Sequence, residues 1–188
     1  MVKNDSKKKI ISERDISRKD FYARSKLLSE KILCDKKNYF KTICIRLPGV
    51  LSKKIPKISS QSFLKGEVLM KFITLMMINK DIQIFNPNKK FNNVTDVKEV
   101  FRFINKNLKK QNKNYVVQFS ATKPIEFIKV IKILKNTLKS SSKIKISNKK
   151  INSFYINNSK LIKTFDFLPS STEKILKRFC REISILKN

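Results

Sequence analysis

Tyr22 and Lys26 stand four residues apart, so on a helix their side chains share one face. A phenol beside an ammonium is chemically useful. The positive charge favours the phenolate, which lets the tyrosine give or take a proton near neutral pH. The spacing alone carries little weight. In a chain with 4 Tyr and 44 Lys and Arg, roughly one such pair arises by chance, and an exposed pair without a role is then the better reading.

Other residue types narrow the chemistry. The chain has no His, and its 3 Cys (Cys34, Cys44 and Cys180) form no C-x-x-C pair. That removes the usual zinc ligand sets. It reads as reduced, partly buried thiols in a cytoplasmic protein. Met70, Met76 and Met77 fall in one apolar segment. Methionines can line an adaptable site, but core filling is their ordinary use.

The elements that must position these residues follow from periodicity. Leu27, Leu28, Ile32 and Leu33 recur at helical spacing between charged positions and predict a helix over 20–36. Thr42–Leu47 is a β-branched, mostly apolar run that predicts a buried strand, stopped by a turn at Pro48-Gly49. A loop follows to about Ser60, then a second helix over 62–79 and a strand over 82–85. Phe91–Val94 reads as a short extended piece. Asp96 sits at an N-cap position, before a helix whose apolar face is Val97, Val100, Phe101, Ile104 and Leu108. Tyr115–Phe119 predicts a strand. Pro124 predicts the first turn of a helix that buries Ile128, Ile131 and Leu134. Lys143–Ile146 and Phe154–Ile156 are further strand candidates. Ser170-x-x-Glu173 has the pattern of a capping box before a last helix through Ile175, Leu176 and Phe179. Alternating strands and helices predict an α/β fold.

In this order, the segments have a context. Tyr22-Ala23-Arg24-Ser25-Lys26-Leu27-Leu28-Ser29-Glu30 followed by Ile45-Arg46-Leu47-Pro48-Gly49-Val50 resembles the NAD-dependent epimerase/dehydratase family of extended short-chain dehydrogenase/reductases. The similarity continues through Ile84-Phe85-Asn86-Pro87, Phe91-Asn92-Asn93-Val94, Asp96-Val97-Lys98-Glu99-Val100 and Phe167-Leu168-Pro169-Ser170-Ser171-Thr172. Each piece is weak alone, and the ordered set is more specific. The resemblance implies the C-terminal part of a Rossmann-type sheet with a small α/β substrate-binding subdomain over 20–188, preceded by a charged segment, 1–19, without regular order. It implies Tyr22 as catalytic acid/base and Lys26 as the residue that bonds the nicotinamide ribose. It also implies Pro48-Gly49 against the nicotinamide of NAD(P), and a nucleotide-sugar substrate. Many relatives carry an Arg-Asp pair for the substrate diphosphate; at that place this chain has Asn92-Asn93, which can hydrogen-bond but bring no charge.

One departure is large. The family's cofactor pyrophosphate sits on a glycine-rich turn, yet this chain has only 2 Gly, Gly49 and Gly66. The family's Ser or Thr upstream of the tyrosine has no counterpart either. The expectation is therefore a truncated chain, inactive alone or dependent on a missing N-terminal half, with either a separate polypeptide carrying that half or further copies of the chain in a homo-oligomer as its partner. Strand 42–47 would then present an open edge.

The net charge of +30 raises a second class, a basic module for RNA or other anions without catalysis. The excess is Lys rather than Arg, is spread over every segment, and accompanies much Asn and Ile. That pattern suits a solvated surface and argues against nucleic acid as the partner. A third class is a structural protein that docks through its open sheet edge. The sequence holds no run of about 18 apolar residues, so no membrane span is expected.

Overall fold

The computed structural model describes residues 10–11, 21–35, 40–51, 68–107, 113–148 and 154–185. In chain order they form strand β1 (Ile10–Ile11), helix α1 (Phe21–Asp35), strands β2 (Ile43–Arg46) and β3 (Gly49–Leu51), helix α2 (Val68–Met77), strands β4 (Ile82–Ile84), β5 (Lys90–Phe91) and β6 (Val94–Asp96), helix α3 (Val97–Asn107), strands β7 (Tyr115–Gln118) and β8 (Ile125–Glu126), helix α4 (Phe127–Thr137), strands β9 (Ile144–Ile146) and β10 (Tyr155–Ile156), and helices α5 (Ser159–Phe165) and α6 (Thr172–Ile185).

Pairing is mostly parallel and always between distant segments. β2 lies along β7 with Ile43 opposite Tyr115, β3 along β6 with Gly49 opposite Val94, and β4 along β9 with Ile82 opposite Ile144. β1, inside the charged 1–19 segment, pairs in parallel with β10, and β5 with β8 is antiparallel. Parallel neighbours require crossover connections, and the intervening helices supply them. Among the described residues β2 has β7 on one edge and no strand on the other.

Two apolar clusters sit around these pairs. One gathers Phe103, Val117, Phe119, Leu161 and Phe167, with Ile43 and Ile45 packed against it. Phe103 is its hub, edge-on to Phe119, Phe165 and Phe167 at 5.1–5.5 Å between ring centres. The larger cluster joins α2, α4 and α6 over β4 and β6, through residues such as Ile73, Ile84, Val94, Ile131 and Ile175. Both clusters pack helices against parallel strand pairs, the Rossmann-like α/β arrangement that the sequence predicts.

Several local expectations change. β2 is half-buried along its length rather than buried, with one strand neighbour among the described residues. Gly49 does not make a turn. It opens β3, and no described glycine has a positive φ. The helix over 62–79 is described from Val68 onward, and the loop after Leu51 lies outside the described residues. On α3 the buried side chains are Glu99, Phe103 and Asn107, whereas Val97 (56%), Phe101 (62%) and Ile104 (36%) face outward. Leu108 lies outside the described residues. The helix after Pro124 begins at Phe127, three residues late, because Ile125–Glu126 first pairs with β5. Its first N–H groups then donate to Lys89 and Pro87 carbonyls, partners that no local pattern announces. The last helix is capped by Ser171, whose hydroxyl accepts the Lys174 N–H at 3.3 Å. Helix α5 was not predicted.

Candidate functional site

α1 begins at Phe21, which puts Tyr22 and Lys26 on its first two turns. Tyr22 is 52% exposed, and the Lys26 ammonium stands 5.5 Å from the centre of its ring. Helical spacing therefore produces the contact that the sequence implied, a cation over a phenol. The helix carries no fully buried side chain. It rests on the sheet along a stripe of Ala23, Leu27, Glu30 and Cys34, each partly buried, at the i, i+4, i+7, i+11 positions of one face.

What fixes that stripe is an ion pair. Arg46, the last residue of β2, donates from Nε and Nη2 to the two oxygens of Glu30, at 2.8 and 2.6 Å. Both partners are mostly buried, at 14% and 18% exposed. A two-pronged guanidinium–carboxylate contact sets orientation as well as proximity. It aims the tyrosine-bearing helix relative to the strand that leads into Pro48-Gly49.

The other predicted residues meet across a second ladder. The pairing of Gly49 with Val94 brings Pro48-Gly49 alongside Asn92-Asn93. Asn92 is buried, and its amide is fully used inside the protein. Its Nδ2 donates to the Ser120 hydroxyl and to the Ala121 and Ile156 carbonyls, and its Oδ1 accepts the Ile156 N–H. Asn93 donates to the Phe154 carbonyl at 3.2 Å, while its buried Oδ1 has no hydrogen-bond partner among the described residues. Two groupings result: Tyr22 with Lys26 on α1, and Pro48-Gly49 with Asn92-Asn93 between β3 and β6.

A buried charge cluster went unread in the sequence. Glu99 accepts the N–H and hydroxyl of Ser170 at 2.9 and 2.8 Å, and pairs with Arg102 at 2.8 Å and Arg178 at 3.1 Å. Asp96 caps α3 by accepting the Glu99 N–H at 2.9 Å, and its other oxygen holds Arg178. Burial pushes the Glu99 carboxyl up, but the Ser170 bonds and the guanidinium groups of Arg178 and Arg102 outweigh it and hold it below the ordinary range. The D-x-x-E spacing of Asp96 and Glu99 is a capping-box signal; it marks the helix start but not the two arginines that close on it.

No family model matches the chain, and no curated protein matches it. Solved structures do. The UDP-N-acetylglucosamine 4-epimerase from Bacillus cereus aligns at 15% identity with a TM-score of 0.70, over 94% of this chain and 57% of the epimerase. A UDP-N-acetylglucosamine 4-epimerase from Methanobrevibacter ruminantium M1 gives 16%, 0.72, 95% and 58%. The dTDP-glucose 4,6-dehydratase from Bacillus anthracis, solved in complex with NAD, gives 15%, 0.64, 95% and 56%. The chain has the fold of the C-terminal portion of such enzymes, and it spans a little over half their length.

Proposed function

We propose that this chain is the proton-transfer and sugar-side portion of a nucleotide-sugar epimerase or dehydratase, with the pyrophosphate cradle lying outside these 188 residues. That cradle belongs either to further residues of a longer polypeptide or to a separate one. In this reading Tyr22 exchanges a proton with a sugar hydroxyl, and Lys26 steadies the phenolate and donates to the nicotinamide ribose. Pro48-Gly49 lies against the nicotinamide, and the Asn92-Asn93 segment faces the substrate. Asn92 is consumed by structural bonds, and the Asn93 Oδ1 is buried without a partner among the described residues.

The observation that carries this reading is the α1–β2 unit. The Tyr–Lys helix is locked by Glu30 and Arg46 to a strand whose second edge is open among the described residues. Apolar side chains stand exposed on both flanking helices: Phe21 (86%), Leu28 and Ile32 on α1, and Val97, Phe101 and Ile104 on α3. An open parallel strand between two half-bare helices is what remains when neighbouring strands are supplied from elsewhere.

The residues present suit one end of the cofactor only. A phenol and an ammonium can meet a ribose and nicotinamide, and bound NAD(P) supplies the hydride chemistry. The phosphate end needs closely approaching backbone N–H groups on a glycine-rich turn, and the two glycines here lie after the tyrosine. The free thiols support a cytoplasmic setting, and no described helix is long and apolar enough to cross a membrane.

Calorimetric titration of NAD into the purified chain tests this. No measurable binding is expected from the chain alone. Tight binding by the chain alone overturns the reading.

A further inference from the structure

Glu30 and Arg46 mark a fixed point between α1 and β2. One helical turn beyond Glu30, about 6 Å along the axis, lies Cys34. Two residues back from Arg46, about 6.6 Å along the strand and on the same face, lies Cys44. Helix and strand run in opposite senses here, so equal steps from the ion pair bring the two sulfurs opposite one another. The Cys34 side chain lies near enough to Cys44 to act on its thiol. Asn114 secures the same end: its Nδ2 donates to the Cys34 carbonyl at 2.7 Å, and its Oδ1 accepts the Thr42 N–H at 2.8 Å. Both thiols are free and partly exposed, whereas Cys180 is buried.

We infer that Cys34 and Cys44 form an oxidisable dithiol whose disulfide clamps the end of the tyrosine-bearing helix onto β2. This assignment holds whether or not Tyr22 does chemistry. The oxidant is a low-molecular-weight disulfide of the glutathione class. The Cys34 thiolate attacks one of its sulfurs, forming a mixed disulfide and releasing one glutathione thiolate. The Cys44 thiolate then attacks Cys34 Sγ, closing the protein disulfide and releasing the second glutathione thiolate. Two protons leave the protein thiols, the protein loses two electrons, and the oxidant gains them. Burial and the neighbouring Cys34 push the Cys44 thiol up to about 11, so Cys34 is the entry sulfur and closure is slow at neutral pH.

The consequence is local. α1 has no fully buried side chain, so a covalent bond at its end, closing a loop of about ten residues, has a large effect on how often it lifts away.

The test treats the reduced full chain with oxidised glutathione and maps peptides without reduction. A linked peptide pair containing Cys34 and Cys44 is expected, with Cys180 alkylated only after unfolding. Closure should quicken as pH rises from about 7 toward 9. Amide exchange in α1 should slow at least about tenfold on oxidation and recover on reduction. A stable glutathione adduct on Cys34 without a link to Cys44 overturns the inference, as does a link that uses Cys180.

Discussion

Arg46 closes on Glu30 through two hydrogen bonds, 2.8 and 2.6 Å, and this pair fastens an otherwise lightly held helix to its sheet. Arg46→Ala leaves a partly buried carboxylate without its cation. It should cost about 2 kcal/mol, appearing first as faster amide exchange in α1 rather than as global unfolding. Arg46→Lys keeps the charge but loses the fork, and should recover only part of that loss. Exchange unchanged in α1 for Arg46→Ala would show that the helix is held by something else.

Glu99 should contribute to acid stability. Its folded carboxyl sits below the ordinary value of 4.5, so at pH values between the two the unfolded chain binds more protons than the folded one. The resulting stabilisation is complete above the ordinary value and is lost as pH falls through the folded one. Urea midpoints measured from pH 7 to about pH 3 should therefore drop on the acid side. Glu99→Gln should lower the stability at pH 7 by about 2–4 kcal/mol, seen as a lower midpoint, and flatten that acid limb. An equally steep limb in Glu99→Gln would assign it to other carboxylates.

Lys139 follows α4 with φ 50°, the left-handed region that favours glycine. The Ser140 N–H reaches back to the Lys135 carbonyl at 3.0 Å, which completes a Schellman end. Lys139→Gly should stabilise the protein by about 0.5–1 kcal/mol, relief of strain exceeding the added chain entropy. Asn79, at φ 55°, plays the same part after α2. Its Oδ1 also accepts the Ser141 N–H at 2.9 Å, so Asn79→Gly should gain nothing. Thermal midpoints of the two variants make the comparison; a gain for Asn79→Gly or none for Lys139→Gly contradicts it.

These residues also show what the sequence could tell. The α/β class, the tyrosine helix, β2, β7 and the Asp96 cap were legible, because period, β-branching and cap chemistry are local signals. The α3 face was misread because its apolar stripe Val97–Phe101–Ile104 turns outward while Glu99, Phe103 and Asn107 turn in. Amphipathicity identifies a helix's apolar face but not whether a partner is there to cover it. Helix ends were blurred for a related reason. With 2 Gly in the chain, left-handed caps fall to Lys139, Asn79 and Asp166, and a lysine there gives no warning. The approach of Cys34 to Cys44 and the Asn92 clasp join different elements of the fold, so spacing is silent about them. Gly49 was read as a turn from its neighbour Pro48, whereas pairing with Val94 draws it into a strand.

The most direct measurement places Tyr22 in a complete enzyme. The chain should be co-expressed with a polypeptide that bears the strand and glycine-rich turn, beginning with the reading frame adjacent to its own, and UDP-sugar conversion followed in the co-purified complex. Conversion is expected only in the complex, and Tyr22→Phe should lower it about 10²–10⁴-fold while leaving stability within about 0.5 kcal/mol, since Tyr22 is half exposed. A Tyr22→Phe complex that works at the full rate, or failure of any glycine-bearing polypeptide to confer activity, contradicts the assignment of a proton-transfer role to this helix.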